Sequence, residues 1–209
     1  MRFIERPYCE RLGTPFETDL ATSEGGRFLS SSAVADPPVF GRARAVVRFE
    51  EGPARLLVHR LKYGDRGELA EPMGRWMTRA GAELLDEADV LIPVPLHRLR
   101  LAHRRFNQSV ALARAIAQIS GVPLRTDILA RLKQTPPQVG LTRRLRAKNV
   151  QGAFAVPEEK RIEAAGRRVV LVDDVMTSGA TLNAASRVLL RAGAKQVDAL
   201  VFARVVTDA

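Results

Sequence analysis

The stretch from Val169 to Thr181, VVLVDDVMTSGAT, limits the folds open to this chain more than any other. Its apolar run leads into the adjacent acids Asp173 and Asp174, then into a hydroxyl-rich loop holding one glycine. A helix-like segment, Leu182 to Ala192, follows and stops at Gly193. An unalternating apolar run ahead of a helix reads as a strand buried on both faces, the kind found in parallel sheets. The polar residues then fall where strand passes into helix, and in open α/β sheets that edge binds ligands.

The residue types say which ligand. Thr177, Ser178, Gly179, Ala180 and Thr181 offer hydroxyls and backbone N–H groups at a helix N-terminus, an arrangement suited to an anion. Gly179 and Ala180 carry too little side chain to keep a phosphate from the backbone. Two carboxylates directly ahead of that cradle repel a second phosphate, but accept hydrogen bonds from neutral hydroxyls or hold a hydrated cation. Phosphate on one side and vicinal hydroxyls on the other describe a ribose 5-phosphate. A lone Asp-Asp is better read as a turn and helix cap, but the whole strand–acid–hydroxyl–helix string is not.

Around this motif the chain alternates strand and helix patterns. Ala45 to Phe49 reads as a strand and Arg55 to Tyr63 as a helix. Glu68 to Glu87 carries Leu69, Met73, Trp76, Met77, Ala80 and Leu84 at helical spacing, with Trp76 a core residue. Asp89 to Val94 reads as a buried strand. Asn107 to Ser120 reads as a helix capped by Asn107 and stopped by Gly121. Strands near Ala153 to Val156 and over Gln196 to Arg204 complete the order, which is that of a mostly parallel α/β sheet flanked by helices. Residues 1–38 are weakly patterned, and SEGGRFLSSSAVADPP within them is linker-like. The expected organisation is an N-terminal appendage over 1–38 and one α/β domain over 39–209.

Charge supplies the second constraint. From His97 to Lys148 there are twelve Lys or Arg residues against the single acid Asp127, an excess of +11 in a chain whose net charge is +10. A one-sided excess of this size points to a polyanion, either a diphosphate or a nucleic acid. Phe106 is the only aromatic residue in that stretch, whereas single-strand binders interleave stacking platforms with their cations. The diphosphate is the better fit, and contact with a duplex backbone stays open. No apolar stretch is long enough to span a bilayer, the N-terminal charges do not suit a signal peptide, and Cys9 is the only cysteine, so the expected compartment is the cytoplasm.

The string from Val169 to Thr181 resembles the phosphoribosyl-diphosphate (PRPP) binding motif of the type I phosphoribosyltransferases. Other strings narrow the resemblance to the competence protein F (ComF) family. They are HRLKYGDR at His59 to Arg66, LIPVPLH at Leu91 to His97, RRFNQ at Arg104 to Gln108, and NVQGAF at Asn149 to Phe154. The resemblance implies the type I phosphoribosyltransferase fold with a small N-terminal hood. It implies that Asp173 and Asp174 hold the ribose hydroxyls and that Thr177 through Thr181 wrap the 5-phosphate. Val94, Pro95, Leu96 and His97 resemble the diphosphate loop, with Arg104 and Arg105 adding cations. The stretch from Lys133 to Asn149 resembles a mobile flap, in which Lys133, Gln138, Arg146 and Asn149 are the candidates. The implied reaction passes a 5-phosphoribosyl group from PRPP to a nucleophile and releases diphosphate, with Mg²⁺ arriving on PRPP and no metal held by protein side chains alone.

Two departures matter. Many relatives begin with a four-cysteine zinc element, but here Leu12 stands where the second cysteine of the turn Cys9 to Phe16 would be, so no zinc is expected. Thr177 occupies the position of the aspartate base in 6-oxopurine salvage enzymes, which argues against hypoxanthine or guanine as acceptor. A working transferase whose acceptor is a nucleobase or another nucleophile, a non-catalytic PRPP or nucleotide sensor, and a DNA-uptake accessory touching DNA or a competence partner all stay open, as does the oligomeric state.

Overall fold

The computed structural model describes residues 1–16, 22–24, 27–63, 67–99, 101, 106–135 and 142–206. In chain order, β1 (Thr22–Glu24) pairs antiparallel with β2 (Arg27–Leu29) and is followed by α1 (Ser31–Ala35). Next come β3 (Ala43–Arg48), α2 (Pro53–Tyr63), α3 (Ala70–Ala80), α4 (Ala82–Asp86) and β4 (Val90–Pro93). Then follow α5 (Gln108–Ser120), β5 (Ala130–Arg131), α6 (Arg143–Asn149), β6 (Phe154–Ala155) and α7 (Arg161–Ala164). The last three elements are β7 (Arg168–Met176), α8 (Ala180–Arg191) and β8 (Gln196–Arg204).

The main sheet has the order β3-β8-β7-β4, and every neighbouring pair in it is parallel. Side chains alternate across a strand, so β7 divides its apolar residues between two cores. Val170 and Val172 join Met73, Met77, Leu112 and Ile116, under α3 and α5. Val169 and Leu171 join Leu182, Leu189, Ile128 and Phe154, under α8 and the β5–β6 ribbon. Parallel strands send the loops after β4 and β7 out of the same edge, which brings the two ligand loops together.

Three sequence expectations shift. The helical stretch Glu68–Glu87 is two helices, α3 and α4, which part at Gly81, where the backbone leaves the helical conformation and a Cβ would lie 2.7 Å from Leu200 Cδ1. The strand expected near Ala153 lies outside the main sheet, as β6 pairs antiparallel with β5. The linker-like stretch holds structure as well. Ser30 caps α1, its hydroxyl accepting from Ala33 N.

The N-terminal residues are built into the sheet edge. Ile4 N donates to Val46 O and Arg48 N to Arg2 O, both at 2.9 Å, along the outer side of β3. This covers an edge that would otherwise expose unpaired backbone. Arg44 on β3, 2% exposed, reaches the carboxylates of Glu10 and Glu83 and lies 4.7 Å from the centre of the Tyr8 ring. Cys9 is fully buried, and its sulfur accepts from Ser30 N and Ser30 Oγ, each at 3.3 Å.

The tightest helix contact is between α3 and α5. A Cβ on Gly74 would sit 2.5 Å from the Ala115 Cβ, closer than real side chains approach. Gly74→Val therefore forces the two helices apart and should cost ~2 kcal/mol or more, read as a lowered midpoint in urea with an unchanged slope.

Candidate functional site

Strand β7 runs past the apolar core and carries both acids on its last rungs. Because neighbouring residues face opposite ways, Asp173 and Asp174 meet different elements. Ser109 Oγ, in the first turn of α5, donates to Asp173 Oδ1 at 2.9 Å, and Asp174 N donates to the same oxygen at 2.9 Å. Lys62 near the end of α2 places Nζ 2.6 Å from Asp174 Oδ2. That contact is a close ion pair between a buried carboxylate and the lysine ammonium.

The environment presses on Asp173. Burial first, and then the Asp174 carboxylate beside it, push its carboxyl up to about 7. The Asp174 N–H, the Ser109 hydroxyl and the Lys62 charge work against them and lose. An acid held in this range is a common mark of a functional site.

The chain then turns through Thr177 and Ser178 to Gly179, whose φ of +76° is left-handed and favours glycine. Asn183 N donates to Gly179 O at 2.8 Å as α8 begins, so the first-turn N–H groups and the positive end of the helix face this edge. Ser178 Oγ is buried with no hydrogen-bond partner. An orphaned hydroxyl in such a loop costs stability, and a phosphate oxygen would satisfy it. The segment before β3 closes the far side, where Val39 N donates to Asn183 Oδ1 at 2.7 Å.

The expected diphosphate loop leaves β4 alongside. Val94 N donates to Val172 O at 2.9 Å, and Asn107 Nδ2 donates to Val94 O at 3.1 Å. Asn107 also caps α5 through Ser109 N at 2.9 Å, so one residue ties this loop to the helix whose Ser109 touches Asp173. Pro95, Leu96 and His97 follow half-buried, and Leu101 N donates to His97 O. Arg104, Arg105 and Gln138 lie outside the described residues. Lys133 donates to Gln151 O at 3.1 Å beside the β5–β6 ribbon. Arg146 and Asn149 belong to α6, which packs on α8.

Lys62 and Ser109 escaped the sequence reading of the site. Both carried a signal, since Lys62 lies inside HRLKYGDR and Ser109 directly follows RRFNQ. Neither string says that its residue reaches the acids, which is a matter of tertiary contact. The basic excess, by contrast, is partly consumed internally. Arg125 pairs with Asp127 at 3.1 Å and also with Glu163. Arg125 and Lys160 hold the Asp127 carboxyl well below the usual range. Arg131 lies 5.2 Å from the centre of the Phe154 ring. A second cleft, lined by Glu10, Arg11, Gly41, Arg42, Glu87 and Gln196, opens at the opposite edge of the sheet and is occupied by ion pairs such as Arg42–Asp198 at 2.8 Å.

A parallel sheet with a hydroxyl-rich loop and paired acids at its ligand edge defines the phosphoribosyltransferase class of α/β domains, and residues 107–208 match the phosphoribosyl transferase domain. The chain is 31% identical over 203 residues to competence protein F of Haemophilus influenzae, covering 95% of this chain and 85% of that protein. It belongs to the competence protein F family. The DNA utilization protein YhgH of Escherichia coli O157:H7 is 32% identical over 169 residues, covering 77% of this chain and 71% of its own. Competence protein ComFC of Bacillus subtilis is 30% identical over 154 residues, covering 66% and 60%. Among solved structures, the allosteric regulatory enzyme of purine biosynthesis aligns at 22% identity and TM-score 0.46, covering 69% of this chain and 30% of that one.

The raised Asp173 carboxyl sets a stability test. Between the ordinary carboxyl value near 4 and the folded value of about 7, the fold keeps a proton that the unfolded chain has released. Stability from this group is therefore present at low pH and lost as pH rises through 7. Asp173→Asn should stabilise the protein by about 1–3 kcal/mol at pH 8 and by less at pH 5, measured by urea unfolding at the two pH values.

Proposed function

We propose that this protein binds PRPP and transfers its 5-phosphoribosyl group to a nucleophile, releasing diphosphate. The observation that carries this reading is one edge holding a buried Asp174 beside a half-buried Asp173 and, a few residues on, a loop with an orphaned Ser178 hydroxyl. In this reading Asp173 and Asp174 accept hydrogen bonds from the ribose 2′- and 3′-hydroxyls. They orient the sugar and do not attack it. Thr177 through Thr181 take the 5-phosphate on backbone N–H groups and hydroxyls, fixing the far end of the substrate. The loop from Val94 to His97 then faces the departing diphosphate, where fixed donors favour the charge that develops there.

The acids fit a Mg²⁺ carried in on PRPP, because carboxylate oxygens are suitable ligands for it and Lys62 offsets only one of the two carboxylate charges. When bound, the ion would offset diphosphate charge in the departing group. Thr177 in place of an aspartate base directs the reading away from 6-oxopurines. Within the N-terminal turn the Cys9 sulfur accepts from Ser30 N and Ser30 Oγ, and the reading assigns no zinc there.

Calorimetry with PRPP and Mg²⁺ tests the core of this reading. Saturable binding is expected in the native protein and its loss in the double variant Asp173→Asn/Asp174→Asn; no heat from the native protein at millimolar ligand sinks it. A nucleobase screen for diphosphate release then separates a transferase from a PRPP sensor.

The pH dependence gives a second test. Ribose hydroxyls donate to ionised carboxylates, so affinity should rise as pH passes through about 7, where Asp173 loses its proton. Lys62→Met removes a charge that holds this carboxyl down, and should move the midpoint to higher pH. A midpoint that stays in place excludes Lys62 from the site's electrostatics.

A DNA-handling role is the second reading, favoured by relatives named for competence and DNA utilization. Absence of DNA affinity at low salt, where electrostatic binding is strongest, would exclude direct contact.

A further inference from the structure

Arg204 is the last residue of β8 and is 8% exposed. Its register partner across the ladder is Met176, the last residue of β7. A buried guanidinium needs acceptors to offset its lost hydration. Its Nε donates to Leu12 O at 3.2 Å. Its Nη1 is shared among Met176 O at 3.2 Å, Val205 O at 2.9 Å and Thr177 O at closer range.

Two of those acceptors open the loop that follows β7. In a trans peptide the C=O and the next residue's N–H point in opposite directions. With Met176 O and Thr177 O both turned onto Arg204, the N–H groups of Thr177 and Ser178 are turned away from it. Successive N–H groups facing the same way form a concavity that attracts anions, and a buried positive charge behind them deepens the attraction. The third tie, to Leu12 O, joins this loop to the N-terminal turn. Gly13 in that turn approaches β3 so closely that a Cβ there would lie 2.9 Å from Ala43 O.

We propose that Arg204 is a positioning residue for the phosphate loop: it holds the Thr177 carbonyl inward, beside a Met176 carbonyl that also accepts from Val205 N at 2.9 Å, so that the following N–H groups face a phosphate monoester, and it couples that loop to the N-terminal turn. This rests on the reading of Thr177–Thr181 as a 5-phosphate site, and assigns a role to a residue that itself touches no substrate. A residue serving only the fold would support every ligand equally. Arg204 instead supports the end of the ligand that carries the 5-phosphate.

The test uses the full chain with Arg204→Lys, which keeps the charge but loses the fork, and Arg204→Gln, which loses both. Two readouts are taken: titration with ribose 5-phosphate and with Mg²⁺–diphosphate, and ¹⁵N–¹H spectra of the free proteins. In Arg204→Lys the Thr177 and Ser178 amide signals should move while those of Val169 to Val172 stay. Ribose 5-phosphate should weaken about tenfold, the scale of one charge-assisted hydrogen bond, with diphosphate affinity little changed. Arg204→Gln should weaken ribose 5-phosphate further. Unmoved Thr177 and Ser178 signals, equal weakening of both ligands, or failure of both variants to fold would overturn the assignment. A native protein that binds neither ligand defeats the phosphoribosyl reading, and Arg204's hold on the loop is then decided by the amide signals alone.

Discussion

The parallel ladder between β7 and β8 is the interaction on which the ligand edge depends. It runs from Arg168 opposite Gln196 to Met176 opposite Arg204, and both strands are apolar on both faces through their middle. The register decides which element each acid meets, since a slip of one residue would turn Asp173 and Asp174 to the opposite faces. The same ladder ends with Arg204 beside the loop after β7. The strand pairing that makes the core thus also determines where the loop's carbonyls go.

The acids are the cost of this arrangement. Adjacent carboxylates at a buried strand end repel each other and lose hydration. Lys62, the Ser109 hydroxyl and the Asp174 N–H offset part of that, yet the Asp173 carboxyl is still pushed up to about 7. Ser178 Oγ adds an unpartnered hydroxyl in the same neighbourhood. Groups that leave the empty fold less stable, while suiting hydroxyl donors and an anion, mark a site shaped for binding.

The N-terminal turn is held by buried side chains as well as by backbone hydrogen bonds. Arg44 is buried between Glu10 and Glu83 under the Tyr8 ring, and removing one partner from such a cluster would leave an uncompensated charge. Cys9 sits in the interior of the turn against Ser30. Leu12 donates no ligand atom from its side chain, but its carbonyl is bonded by Arg204. The appendage is thereby attached at the sheet edge and at the loop after β7.

The sequence by itself determined the α/β class, the strand over Gln196–Arg204, the capped helix from Asn107 to Gly121, and the acid–loop–helix string at the ligand edge. Each is a local signal: unalternating apolar runs, a side chain capping its own helix, a glycine where φ is left-handed. The break at Gly81 was not legible in the helical spacing, which runs on through it. The segment of β6 was read as a strand of the main sheet and β5 was not read at all, since a short apolar segment does not name its partner. Lys62 and Ser109 meet the acids, and Arg204 the loop after β7, only in three dimensions. Periodicity and motif spacing record what a segment prefers, whereas a charge or carbonyl brought from a distant element is decided by how the elements pack.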